Sequence, residues 1–180
     1  MFDKRAEKIK SSLLKLAPDI FGNPSVLFAY LYGSYATGLV HPFSDLDIGI
    51  YVDRLAPHKP RPLGRGQGEL SENVYHPYRE APTFRAGRLN KMSRRQCLEL
   101  ELSLALEIDE KLGSGVSSEV RIINNLPLVV TGKIITEGIL IFSRNEAIRV
   151  DFETSLRGAY FDFVPVLRRY QSVYMQSIVS

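Results

Sequence analysis

Leu31-Tyr32-Gly33-Ser34-Tyr35-Ala36-Thr37-Gly38, followed by Ser44-Asp45-Leu46-Asp47-Ile48-Gly49-Ile50, is the stretch whose reading decides the fold. Val26 to Tyr32 is an apolar and aromatic run that stops at Gly33, the pattern of a short buried strand. Leu46 to Val52 is a second such run, with Leu46, Ile48 and Ile50 on one face. Between them, Ser34 to Gly38 has room for a loop and one helical turn. Asp45 and Asp47 are two apart, so on a strand they stand side by side on the face opposite Leu46 and Ile48. Two carboxylates this close repel unless a cation sits between them. Mg²⁺ suits the pair, because it prefers oxygen and is usually held by one or two carboxylates plus substrate phosphates. Gly33 lets the backbone turn and approach a ligand closely. The N–H groups of such a turn can cradle phosphate oxygens, helped by a helix N-terminus just beyond, and the Ser34 hydroxyl adds a donor. One strand thus ends in a phosphate grip and its neighbour begins in a metal grip. Taken singly, Asp-x-Asp reads as solvated surface and Gly-Ser as an ordinary turn. It is their combination with correctly placed strands that is specific.

Outward from this centre the chain alternates helix and strand. Residues 3–16 carry apolar positions at helical spacing, with Pro18 and Gly22 ending the helix. Ser93 with Gln96 forms a capping box, and Leu98, Leu102, Ala105, Leu106 and Leu112 then recur at roughly helical spacing up to Gly113. Val120, Ile122 and Ile123 read as a third strand, Leu128 to Ile135 as a short helix, and Ile139 to Phe142 as a last strand. Glu146 to Ser177 is helical, with Pro165 expected to kink or break it. Segment 57–92 differs. It is rich in Pro, Gly and Arg and has no period, which is unusual for a loop inside a compact domain. The expected organisation is a domain over 1–143 containing this irregular insertion, then a helical segment over 144–180 that packs on the body or on a partner.

Bulk properties exclude several classes. The chain has 180 residues, enough for one domain with a real core. Its net charge of +3 is too small to argue for nucleic acid, and direct nucleic-acid binding is not expected. A single cysteine, Cys97, excludes an internal disulfide and reads as a small buried or half-buried residue. His41, His58 and His76 have no metal-ligand spacing. Gly64-Arg65-Gly66-Gln67-Gly68 lacks the Gly-Lys-Ser/Thr of a Walker A loop. No apolar run reaches the length of about 20 residues that a membrane span needs, and no secretory pattern opens the chain. The expectation is a cytoplasmic protein.

The two quoted stretches resemble the Gly-Ser-x(10)-Asp-x-Asp signature of the DNA polymerase β-like nucleotidyltransferases. The length and C-terminal region are similar to the minimal nucleotidyltransferase (MNT) antitoxins of the HEPN–MNT type. The resemblance implies an α+β fold, a small mixed sheet flanked by helices with a C-terminal helical segment. It also implies a two-metal mechanism and transfer of AMP from ATP to a tyrosine of a HEPN RNase toxin, the partner in a hetero-oligomer. Asp45 and Asp47 are then the catalytic and metal-binding carboxylates, and Gly33 and Ser34 bind the nucleotide. The family uses a third carboxylate on a later strand. Here Glu119 takes that position, as a catalytic residue and metal ligand, where the family more often has Asp. Glu is one methylene longer and can still reach a metal or take a proton, or it is a solvated acid at a strand edge. Arg121 neutralises triphosphate charge or pairs with Glu119. Tyr160, Phe161, Phe163, Tyr170 and Tyr174 are core or partner interface. Two alternatives stay open: an antitoxin that blocks its toxin by contact alone, and a nucleotidyltransferase acting on a small molecule or an RNA end.

Overall fold

The computed structural model describes residues 2–53, 92–113 and 115–179. The irregular insertion expected over 57–92 lies outside them, apart from Met92. The chain begins with α1 (Phe2–Ile20), β1 (Val26–Tyr32), the single-turn α2 (Gly33–Thr37) and β2 (Leu46–Val52). It continues with α3 (Arg94–Leu112), β3 (Ser118–Ile122), a 3-10 turn (Ile123–Asn125), α4 (Leu128–Glu137), β4 (Ile139–Ser143) and α5 (Glu146–Val179). This is the expected α+β class.

The strands form one sheet in the order β3-β2-β1-β4. β1 is antiparallel to both β2 and β4, while β2 and β3 are parallel. A parallel pair needs a long crossover, and α3 supplies it. Central β1 is buried along nearly its whole length, as its unbroken apolar run requires. Helices cover both faces. On one, Leu13 and Ala17 of α1 and Leu100, Leu104 and Ile108 of α3 pack on Leu31, Leu46, Ile48, Ile50 and Val120. On the other, Ile134 and Ile135 of α4 and Leu156 of α5 pack on Phe28, Tyr30 and Ile123. Gly49 lets this second layer lie close, because a Cβ there would sit 2.8 Å from Ile123 Cγ2. No described helix is long and apolar enough to cross a membrane.

Several expectations need correction. α1 runs past Pro18 to Ile20. Pro18 lies in the last turn, where burial of Ala17, Ile20 and Phe21 outweighs one lost backbone bond. α3 starts at the expected capping box, with Ser93 Oγ accepting from Gln96 N and Gln96 Oε1 accepting from Ser93 N. It buries a different stripe, however. Leu100, Leu104 and Ile108 face the sheet, while Leu98, Leu102 and Leu106 are exposed. Leucine or isoleucine occupies every second position from 98 to 108, so a helix carries them all round its surface. Ile123 leaves the strand for the 3-10 turn and so reaches the second core layer instead of the first. α5 continues through Pro165 without a break, and Phe161, Phe163, Tyr170 and Tyr174 on it are exposed, with Tyr160 half-buried. Cys97 is half-buried with a free thiol.

Polar side chains join the elements that carry the site. Asn124 grips the end of β2, its Nδ2 donating to Val52 O at 2.7 Å and its Oδ1 accepting from Val52 N at 3.0 Å. Glu101 of α3 accepts from Ile122 N at 2.8 Å and so satisfies a donor of edge strand β3. Arg144 ties the α1–β1 turn to the start of β1, donating to Gly22 O at 2.7 Å and Val26 O at 3.1 Å. Truncating Asn124 to Ala leaves both Val52 groups unpaired in a part-buried position. Asn124→Ala is expected to cost about 2 kcal/mol of unfolding free energy, read as a lowered midpoint in urea denaturation with an unchanged slope.

Candidate active site

The antiparallel register of β1 and β2 sets the site. Tyr32 at the end of β1 pairs with Asp47 near the start of β2, which brings the Gly33 turn beside the carboxylates. The parallel register of β2 and β3 pairs Asp47 with Glu119. Tyr32, Asp47 and Glu119 therefore form a row across three strands on the sheet face that α4 and α5 only partly cover. Asp45 lies one residue before β2, exposed to solvent. The sequence-expected residues Gly33, Ser34, Asp45, Asp47 and Glu119 thus meet at one end of the sheet.

Gly33 opens α2, so the helical turn begins at this residue and not beyond it. Its φ is +68°, in the left-handed region that favours glycine. Asp47 makes the same demand sterically: a Cβ on Gly33 would lie 2.1 Å from Asp47 Oδ2. Tyr35 is buried and anchors the turn. The first N–H groups of a helix have no partner inside it, and no side chain caps this one. Among the described residues the Ser34 hydroxyl donates to no partner.

Electrostatics mark Asp47 as the centre of the row. Its carboxyl is raised above the ordinary range by burial first, then by the charges of Glu119 and Asp45, with Arg121 opposing. The Tyr32 phenol is pushed up to about 12 by burial and by the same carboxylates Asp47 and Glu119. Tyr32 went unnoticed as a site residue, although it directly precedes Gly33 and shares the period-2 face of Tyr30 and Phe28. Arg121 pairs with Glu119, its Nε donating to Oε1 at 2.6 Å and an Nη of the same guanidinium also reaching that carboxylate. This pair, hydrogen bond first and charge second, raises Arg121 above its usual value. As the side chains stand, no three Asp, Glu, His or Cys groups among the described residues converge on one cation position. The concavity lined by Arg5, Lys8, Ser12 and Val116 contains none of the site residues.

The family model of the nucleotidyltransferase domain matches residues 6–141, most of the chain. The chain belongs to the nucleotidyltransferase domain family. No curated protein matches the sequence. Among solved structures, this nucleotidyltransferase is similar to one described as the toxin–antitoxin MntA–HpeT mutant, with a TM-score of 0.52 at 12% identity, covering 93% of this chain and 98% of that one. A toxin–antitoxin structure with AMP-PNP aligns at a TM-score of 0.49 and 15% identity, covering 94% and 98%. A tri-AMPylated Shewanella oneidensis HEPN toxin in complex with MNT antitoxin aligns at 0.46 and 13%, covering 97% and 99%. At these identities the likeness concerns the fold.

Proposed function

We propose that this nucleotidyltransferase moves AMP from ATP to a tyrosine hydroxyl of a HEPN-type RNase toxin, as a protein adenylyltransferase antitoxin of the MNT type. The observation that carries nucleotidyl transfer is the in-register pair Asp47 and Glu119 beside the Gly33–Ser34 turn, with Asp45 charged next to Asp47. The antitoxin part is supported by the sequence resemblance and by a fold shared over nearly the whole length of an MntA–HpeT chain.

The donor set fits Mg²⁺. The oxygens are hard ligands, and the raised Asp47 carboxyl marks negative charge that lacks a full complement. Asp45 and Asp47 would hold the ion, with Glu119 joining them once free of Arg121. Bound there, Mg²⁺ would neutralise phosphate charge and act as a Lewis acid. The remaining work falls to the chain itself. The N–H groups at the start of α2 and the Ser34 hydroxyl bind the outer phosphates and orient the triphosphate. Glu119 takes the proton of the acceptor hydroxyl. The acceptor oxygen bonds to the α-phosphorus as the bond to pyrophosphate breaks, and pyrophosphate leaves.

A contact antitoxin with an idle site is the second reading. It draws on the Arg121 pairing of Glu119 and on the exposed Phe161, Val166 and Tyr170 of α5, a surface suited to a protein partner. Incubation with labelled ATP and the product of the adjacent gene separates the two. Under the enzyme reading, label moves to the toxin, and Glu119→Gln abolishes transfer while ATP affinity stays within a few-fold. Unchanged turnover in that variant would remove Glu119 from the mechanism. Full toxin silencing by an Asp45→Ala/Asp47→Ala double variant would favour contact alone.

A further inference from the structure

We propose that Arg121 is a carboxylate latch: it holds Glu119 out of the cation-binding set until the phosphates of the nucleotide draw the guanidinium away. The inference rests on the proposed nucleotide site and assigns a residue to its loading. Glu119 and Arg121 are two apart on edge strand β3, so they share the face that Asp47 occupies on β2. Arg121 grips Glu119 through Nε at 2.6 Å and through an Nη as well. Glu119 lies in register with Asp47, yet no three acids among the described residues converge on one cation position while Arg121 holds it. Arg121 is also the cation that opposes the carboxylate charges at both Asp47 and Tyr32.

The pair is built to exchange. Its side chains are 55% and 47% exposed, and an ion pair this open to water is weak. A triphosphate carries more charge than one carboxylate and matches the planar guanidinium fork, so it competes well for Arg121. Glu119 is then released toward Asp47 at the moment when the substrate is present. The site would thus assemble fully only with nucleotide bound, and a cation alone would find two carboxylates.

The test is titration calorimetry on the full chain, with Mn²⁺ alone and separately with Mg²⁺ and a non-hydrolysable ATP analogue. Arg121→Gln is expected to bind Mn²⁺ roughly two- to fivefold more tightly without nucleotide, the range that release of Glu119 from an exposed pair allows. It is expected to bind the analogue about tenfold more weakly, having lost a charge-assisted phosphate contact. Repeating the substitution in a Glu119→Gln background isolates the latch. If Arg121 acts by occupying Glu119, the gain in Mn²⁺ affinity disappears there. A full gain in that background, or none in the single variant, overturns the latch even when analogue binding is intact. Absence of analogue binding in the unaltered chain overturns the proposed nucleotide site, and the latch with it.

Discussion

Asp47→Asn is expected to abolish nucleotidyl transfer and, at neutral pH without divalent cation, to raise the melting temperature of the protein. Both effects have one cause. Asp47 sits in the middle of the carboxylate row, partly buried, with Glu119 and Asp45 as like-charged neighbours. These hold its carboxyl above the ordinary value. For a raised group, stability is fully present below the unfolded value of about 4. It is lost as pH rises through the raised folded value. At neutral pH the cation-free protein therefore carries a penalty that the neutral, isosteric amide removes. The gain in melting temperature should shrink as pH falls through the carboxylate range and vanish in acid. Transfer should drop by at least about a thousandfold, because several kcal/mol of charge stabilisation depend on this ligand. Thermal melts across pH and a labelled-ATP assay measure the two arms. A lower melting temperature at neutral pH would show that Asp47 is a stabilising side chain and not a strained ligand.

Gly33→Ala carries the second large effect, for two independent reasons. The backbone there has φ +68°, a conformation that costs an L-residue about 1–2 kcal/mol. The new Cβ would also fall 2.1 Å from Asp47 Oδ2 and 3.1 Å from its Cγ, so Asp47 must rotate away. Gly33 is exposed and the clash is with a side chain, so the protein should fold with a loss of about 1–2 kcal/mol. Catalysis should suffer far more, by about a hundredfold or beyond, since a ligand shift of about 1 Å is enough for that. Urea unfolding and turnover on the same variant measure both. A variant that is destabilised as stated yet turns over normally would remove the Gly33–Asp47 contact from the mechanism.

The part of the molecule nearest Gly33 was legible because local signals agree there. β1 and β2 fall on the ranges expected from their apolar runs, and the α3 capping box lies at Ser93 and Gln96 as read. Away from that centre, local signals conflict or fall silent. The α3 leucines fit more than one helical face, and only the sheet chooses Leu100, Leu104 and Ile108. Pro18 and Pro165 act as breakers in isolation, yet both lie inside helices. At Pro18 the reason is visible in the buried neighbours Ala17, Ile20 and Phe21. Arg144 gave no signal at all, because its partners lie more than 100 residues away.

By itself the sequence determined the strand–turn–strand unit from Val26 to Val52, with its glycine, serine and paired aspartates. Each of those features depends on neighbours a few residues apart, through backbone conformation, side-chain alternation and charge repulsion. Tertiary structure alone decided what stands beside them. The parallel register of β2 and β3 put Glu119 next to Asp47, the antiparallel register of β1 and β2 put Tyr32 there, and Arg121 became the partner of Glu119. Register between strands is chosen by the burial of whole faces against α1, α3, α4 and α5, a sum over distant residues that no local window contains.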